Sequence, residues 1–150
     1  MMTAVLVIRE GDQFSQILRE SGLDVINLEL IKTQPVADLA ALREKLGRLS
    51  NYDGLFFTSQ ASAEIFAEEY SGRERFDGPV YVLGERARKV LEAAGLNVVF
   101  RDSANTISEL LSSFDRSEFE GKRFLFLRGD KSMRTIPDFL DGRATVEEVV

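Results

Sequence analysis

Short apolar segments alternate with amphipathic segments along almost the whole chain. Between the apolar segments, residues such as Val90, Leu91 and Ala94 recur at helical spacing, which predicts helices. Regular alternation of strand and helix predicts an α/β fold whose main strands are parallel in one sheet. The apolar run near residues 54–58 has the length of a strand buried on both faces, and further parallel strands are predicted near residues 80–83, 97–101 and 123–127.

The N-terminal part of the chain contains one strand–helix–strand pattern. Apolar runs over residues 4–8 and 25–31 flank a helical pattern, with Asp12 as a candidate N-cap and Gly22 as its end. The polar break that ends in Pro35 is either a plain loop or a linker to a second domain. At the other end, residues 144–150 predict one more strand. The chain stops inside it, so we expect a truncated domain.

Composition narrows the possible chemistry. The chain has 150 residues, 44% of them hydrophobic, which suits one medium domain or one domain with an appendage. The absence of Cys and His excludes disulfides, thiolate nucleophiles and catalytic triads, and argues against a metal site. A net charge of −6 argues against general nucleic-acid binding but leaves room for a local basic pocket. With no apolar run of about 20 residues and no signal-peptide pattern, we expect a cytoplasmic protein that does not bind membranes.

Polar residues follow the carboxyl ends of the predicted strands. Because parallel strands end at one edge of a sheet, these turns should converge where α/β proteins bind ligands, and helix N-termini there favour anions. Each turn taken singly is better explained by capping and turn formation, and it is their convergence on one edge that favours a functional role. The dinucleotide-binding and phosphate-loop glycine motifs are absent. The turns comprise Arg9-Glu10, Thr58-Ser59-Gln60, Gly84-Glu85-Arg86 and Arg128-Gly129-Asp130.

At these turns the chain resembles the uroporphyrinogen-III synthase family. Each family motif is weak alone, but their order and spacing extend over essentially the whole chain. The matching segments are a first strand ending in Arg9, the strand end Phe57-Thr58-Ser59, the segment from Leu83-Gly84 to Gly95, and the segment from Gly121-Lys122 to Arg128-Gly129.

The resemblance implies a flavodoxin-like parallel sheet with helices on both faces, plus a βαβ remnant of a second, discontinuous domain. Residues 1–35 would be the first half of the discontinuous domain. Residues 36–145 would be the second α/β domain, and residues 146–150 the start of a return linker strand.

The resemblance also implies an activity, a partner and a set of binding residues. The family cyclises hydroxymethylbilane to uroporphyrinogen III, inverts ring D and loses water, without metal or cofactor, in tetrapyrrole biosynthesis. The carboxylates of this substrate would suit backbone N–H groups and local arginines. No catalytic residue can be named. The substrate-binding residues implied are Arg9, Thr58, Ser59, Gln60, Gly84, Glu85, Arg86, Arg128 and Gly129.

Some positions depart from the family pattern. Ala87 stands at a helix start where the family has Thr, Ile8 where Thr often precedes the arginine, and Glu10 where Pro is usual. The family's cleft tyrosine would lie beyond Val150. We therefore expect this chain alone to be a weak or inactive synthase, and the alternative is a non-catalytic relative that binds a tetrapyrrole or a protein. The βαβ remnant should either fray or pair with a second copy in a weak homodimer, and pairing is favoured.

Overall fold

The structure is a computed structural model that describes residues 4–8, 13–30 and 38–150. Contacts divide the chain into two compact units, Met1–Gln34 and Pro35–Val150. No helix within the described ranges is long and apolar enough to cross a membrane.

The first unit contains the predicted strand–helix–strand motif. Strands β1 (Ala4–Val7) and β2 (Asp24–Asn27) pair in parallel, and helix α1 (Gln13–Glu20) lies between them in sequence. The prediction of a strand to Ile31 was too long for the residues that are described, because Leu28–Leu30 lie outside any strand. Val7, the last residue of β1, is the register partner of Asn27. β2 therefore ends at Asn27 within the described residues. Ile31 and the proposed cap Asp12 lie outside the described residues.

The second unit contains five strands and five helices within its described residues, with short 3₁₀ turns at Leu49–Asn51 and Arg116–Phe119. The strand predicted near residues 97–101 is shorter than predicted and ends at Val99. The strands are β3 (Gly54–Phe57), β4 (Pro79–Val82), β5 (Asn97–Val99), β6 (Arg123–Leu127) and β7 (Thr145–Val149). The helices are α2 (Ala40–Leu46), α3 (Gln60–Tyr70), α4 (Glu85–Ala93), α5 (Ile107–Ser112) and α6 (Thr135–Leu140).

All five strands pair in parallel in one sheet with the order β5-β4-β3-β6-β7. The predicted class, a parallel sheet with helices on both faces, is confirmed. Counted within the unit, the order is 3-2-1-4-5, whereas flavodoxin itself has 2-1-3-4-5. β7 pairs with β6 along its whole length. The assignment of residues 146–150 to a return linker, like the boundary near residue 35, therefore stays a prediction.

Alternation along β3 divides the core into two layers, because successive strand residues point to opposite faces. Leu55 and Phe57 pack in one hydrophobic cluster with α2, α3 and α4, whereas Phe56 packs in the other with α5 and α6. In the second layer the ring of Phe56 stacks on that of Tyr81 with centroids 4.8 Å apart. The central strand is buried on both faces, as its unbroken apolar run predicted.

Candidate functional site

The carboxyl ends of β4, β3 and β6 lie side by side at one edge of the sheet. Phe57 pairs with Val82 on one side and with Leu127 on the other, so the next residues, Thr58 and Arg128, begin neighbouring turns. α3 leaves this edge on one face of the sheet and α6 on the other. This divergence makes the junction of β3 and β6 the topological switch point, where open α/β sheets form a ligand crevice.

The turn after β3 offers one free hydroxyl and two free amides. Ser59 is the N-cap of α3: its Oγ accepts from the Ser62 amide at 3.2 Å and donates to Ser62 Oγ at 2.8 Å. A Ser59→Ala change would therefore remove a helix cap as well as any ligand contact. Thr58 Oγ1 and the N–H groups of Gln60 and Ala61 have no hydrogen-bond partner in the described part of the chain.

The turn after β4 exposes the whole first turn of α4. Gly84 is its N-cap with φ 96°, a conformation that strains any residue with a side chain, and it provides no capping hydroxyl. The N–H groups of Glu85, Arg86 and Ala87 thus stay without an acceptor among the described residues. These groups and the dipole of α4 favour an anion at this position.

Glu85 and Arg86 differ in their electrostatic state. Glu85 receives two hydrogen bonds from Arg88, at 2.6 and 2.8 Å, and a contact from Lys89 at 3.5 Å. The hydrogen bonds from Arg88 hold the pKa of the Glu85 carboxyl below its usual value. Arg86 is exposed and has no ion pair within the described ranges. Its charge is therefore available to a ligand, whereas the charge of Glu85 is compensated.

The turn after β6 is held by an arginine. Arg128 Nε donates to Glu148 Oε1 at 2.7 Å, and its Nη1 donates to the carbonyl oxygens of Gly129 at 2.9 Å and Asp130 at 3.3 Å. Arg134 Nη1 lies 3.4 Å from the other oxygen of Glu148. Both arginines therefore share one carboxylate on β7.

A groove of about 470 Å³ lies at the opposite edge, where α3 and α4 end. Its two arginines are occupied: Arg73 donates to the Glu69 carbonyl at 2.7 Å, and Arg75 pairs with Asp77 at 2.9 Å. Helix C-termini present carbonyl oxygens and negative dipole ends, which disfavour anions. The carboxyl edge is therefore the better candidate site for an anionic ligand.

The structure brings together every proposed binding residue that it describes, in three adjacent turns; these are Thr58, Ser59, Gln60, Gly84, Glu85, Arg86, Arg128 and Gly129. Arg9 lies outside the described residues. Sequence reasoning missed Ser62 and Glu148, which bind two of the proposed residues. Glu148 had a weak signal, since Glu147-Glu148 interrupts an otherwise apolar strand and suggests paired charges.

A model of the family described as uroporphyrinogen-III synthase HemD matches residues 12–150. The chain belongs to this family. The predicted resemblance is thereby confirmed, and it extends over nearly the whole sequence, including all three turns of the second unit.

Two named proteins are similar to the chain. The uroporphyrinogen-III synthase of Chlorobaculum parvum is 27% identical over 148 residues, which cover 93% of this chain and 58% of the relative. The structure of the Thermus thermophilus uroporphyrinogen III synthase matches with a TM-score of 0.55 at 17% identity, over 100% of this chain and 62% of the other. The second match supports the fold alone. The chain thus spans about three fifths of the length of these family members.

Proposed function

We propose that this chain forms part of a uroporphyrinogen-III synthase and binds hydroxymethylbilane at the carboxyl edge of its five-stranded sheet. The enzyme would close this linear tetrapyrrole to uroporphyrinogen III, with inversion of ring D and loss of water. The observation that carries the proposal is the set of unpaired donors at the switch point in a chain of this family. Those donors are the N–H groups of Gln60, Ala61, Glu85, Arg86 and Ala87, the Thr58 hydroxyl and the Arg86 guanidinium.

These donors match the chemistry of the proposed substrate. The acetate and propionate groups of hydroxymethylbilane are anionic at neutral pH, and backbone N–H groups at a helix start bind carboxylates without further charge. The backbone donors lie in the first turns of α3 and α4, directly after buried strands, so these N–H groups are held in position before binding. A rigid row of donors can hold a flexible linear chain in one folded geometry, and such positioning lowers the barrier to ring closure.

A non-catalytic tetrapyrrole-binding relative is the second candidate, and one observation favours it. Ala87, in the first turn of α4, is buried and lacks the hydroxyl that family members carry there. The start of α4, from Gly84 to Ala87, thus offers N–H donors for binding but no hydroxyl of its own. Ligand binding, rather than turnover by this chain alone, is therefore the property that tests the site directly. Formation of the type III isomer from fresh hydroxymethylbilane would distinguish the two candidates.

The site can be tested by titrating the protein with uroporphyrinogen III under nitrogen while recording backbone amide shifts. Shifts should centre on the turns at 58–61 and 84–87. Arg86→Gln should weaken binding about three- to tenfold, the effect of losing one charged hydrogen bond at an exposed position. Arg143→Gln is the matched control, because Arg143 is exposed, has no ion pair in the described part of the chain and precedes β7 at the opposite edge. Shifts centred on the groove at 70–75 and 93–95, or equal losses in both variants, would refute the site.

We also propose a cytoplasmic protein whose first unit can pair with a second copy. The support for pairing is an apolar face of the two-stranded sheet. Leu6 and Ile26 are register partners and are both more than half exposed, and Ile8 and Leu28 extend the same face. The same patch on two molecules is complementary to itself in a twofold contact.

A further inference from the structure

Both the main chain and the side chain of Arg128 form hydrogen bonds within the protein. Its N–H donates to the Val149 carbonyl at 2.9 Å, which continues the ladder between β6 and β7. Its guanidinium makes the three hydrogen bonds to Glu148, Gly129 and Asp130, and only 17% of the side chain is exposed. An arginine in this state has little freedom to reach a ligand.

Glu148 is the fixed point of this arrangement. It lies on β7 opposite Phe126, with 22% of its side chain exposed, on the face of the sheet that carries α6. Its two oxygens are directed at Arg128, where the loop begins, and at Arg134, the residue before α6. The loop 129–134 is thereby held at both ends by one carboxylate.

The guanidinium determines how two peptide groups of this loop are turned. The carbonyl oxygens of Gly129 and Asp130 are bound to Arg128, and Gly129 O also accepts from the Ser132 amide at 3.1 Å. In a planar trans peptide the N–H points away from the C=O. The N–H groups of Asp130 and Lys131 therefore point away from Arg128, and neither has an acceptor among the described residues.

We propose that Arg128 and Glu148 are positioning residues for the tetrapyrrole site rather than ligands of the substrate. They turn the amides of Asp130 and Lys131 outward beside the Thr58 turn, where these amides bind a substrate carboxylate. The inference rests on the proposed function. In this arrangement the positive charge that contacts the substrate belongs to Arg86 and not to Arg128. An isolated, unheld loop would instead present carbonyl oxygens part of the time, and these repel an anion.

The first test follows the Arg128 side-chain Nε–H signal by NMR while uroporphyrinogen III is added to the full chain. The proposal expects the Nε–H signal to stay where it is while the backbone amides of Asp130 and Lys131 shift. A shift of the Nε–H signal comparable with those amides would mean that Arg128 binds the ligand itself, and would overturn the proposal. Saturable shifts only at 58–61 and 84–87 would also overturn it, yet leave the proposed function intact. Absence of any saturable binding would overturn both.

The second test compares Arg128→Lys with Glu148→Gln. If Arg128 contacted the substrate by charge, the lysine variant would keep most of the affinity, and removal of the Glu148 charge would strengthen binding. A positioning pair predicts the reverse: each variant loses about three- to tenfold in affinity, and the double variant loses no more than either single one. The salt dependence of binding should stay as in the unmodified protein in all three, and should fall in Arg86→Gln. Retained affinity in Arg128→Lys would refute the pair.

Discussion

Gly54 occupies a position that has no room for a side chain. A Cβ built there would lie 2.8 Å from the Phe124 ring and 3.0 Å from the Pro79 carbonyl oxygen. The ring belongs to the aromatic cluster with Phe56 and Tyr81, and the carbonyl belongs to the adjacent strand, so neither can withdraw easily. The glycine thus allows the three central strands to approach closely at the start of β3.

Gly54→Ala should lower the free energy of unfolding by about 1–2 kcal/mol. Overpacking costs about 1–3 kcal/mol, and the smaller entropy of the unfolded alanine chain offsets part of it. Urea unfolding monitored by tyrosine fluorescence measures this, since Tyr52, Tyr70 and Tyr81 are the only tyrosines, there is no Trp, and all three lie in the second unit. Gly47→Ala is the control, because a Cβ at that position would meet only ordinary contacts of 3.5 Å or more. Equal stability of both variants would contradict the close approach.

At the scale of elements, β7 is fastened to its surroundings by Glu147. This carboxylate accepts from Lys45 Nζ at 2.7 Å, from the Tyr52 hydroxyl at 2.7 Å and from Arg123. The donors belong to α2, to the end of the 3₁₀ turn that precedes β3, and to β6, so one side chain joins the edge strand to three other segments. The hydrogen bonds, led by that from Lys45, lower the pKa of the Glu147 carboxyl to about 2.

Glu147→Gln should destabilise the second unit by about 1–2 kcal/mol at neutral pH, a value discounted because the carboxylate is about a fifth exposed. The folded pKa lies below the ordinary 4.5. The stabilisation is therefore complete above about pH 4.5 and is lost as the pH falls through that value towards 2. The difference in unfolding free energy between the variant and the unmodified protein should shrink over that window.

The same urea experiment, repeated at several pH values, tests this dependence. Glu120→Gln is the control, since Glu120 is exposed and has no ion pair within the described ranges. It should unfold like the unmodified protein at every pH. A Glu147→Gln difference that stays constant from neutral to acid pH would show that the carboxylate charge contributes nothing.

The sequence predicted the elements of the second unit better than their partners. Apolar runs such as Gly54-Leu55-Phe56-Phe57 indicate buried strands because four consecutive apolar residues fit a strand that is covered on both faces. Capping by the small polar residues after β3 was also expected, and Ser59 is the residue that caps α3. The partnership of Arg128 with Glu148 could not be predicted, because it joins residues 20 positions apart, one just after β6 and one on β7, and no local pattern encodes the adjacency of these strands. The ends of the strands were predicted least well, because a strand ends where its neighbour no longer offers hydrogen bonds. β2, for example, ends beside the last residue of β1.

At the scale of the whole molecule, the two units differ in how much of their apolar surface is covered. The second unit buries both faces of its sheet, whereas in the first unit Leu6, Ile8, Ile26 and Leu28 are all at least 45% exposed. A strand–helix–strand motif has one helix for two sheet faces, so one face needs another partner. This difference is the physical basis of the proposed pairing.

Light scattering over a dilution series should therefore show a dimer at millimolar concentration that dissociates on dilution. Ile26→Lys should abolish the dimer, because a charge would be buried at the centre of the face. Met133→Lys, at an exposed position of the second unit, should leave it unchanged. A monomer at all concentrations, with the amides of 4–8 and 24–28 protected from hydrogen exchange, would mean that another part of the same molecule covers the face.

The charged residues of β7 also affect whether another molecule can add a strand to the edge of the five-stranded sheet. Open strand edges invite a neighbouring molecule to add its own strand, and repetition of that event produces fibres. Here one border is a strand of only three residues, β5, and the other carries Glu147 and Glu148 on opposite faces, each already held by arginine or lysine. Short edge strands and charged side chains disfavour the addition of a further strand. We therefore expect the five-stranded sheet to resist edge-to-edge aggregation when the protein is concentrated.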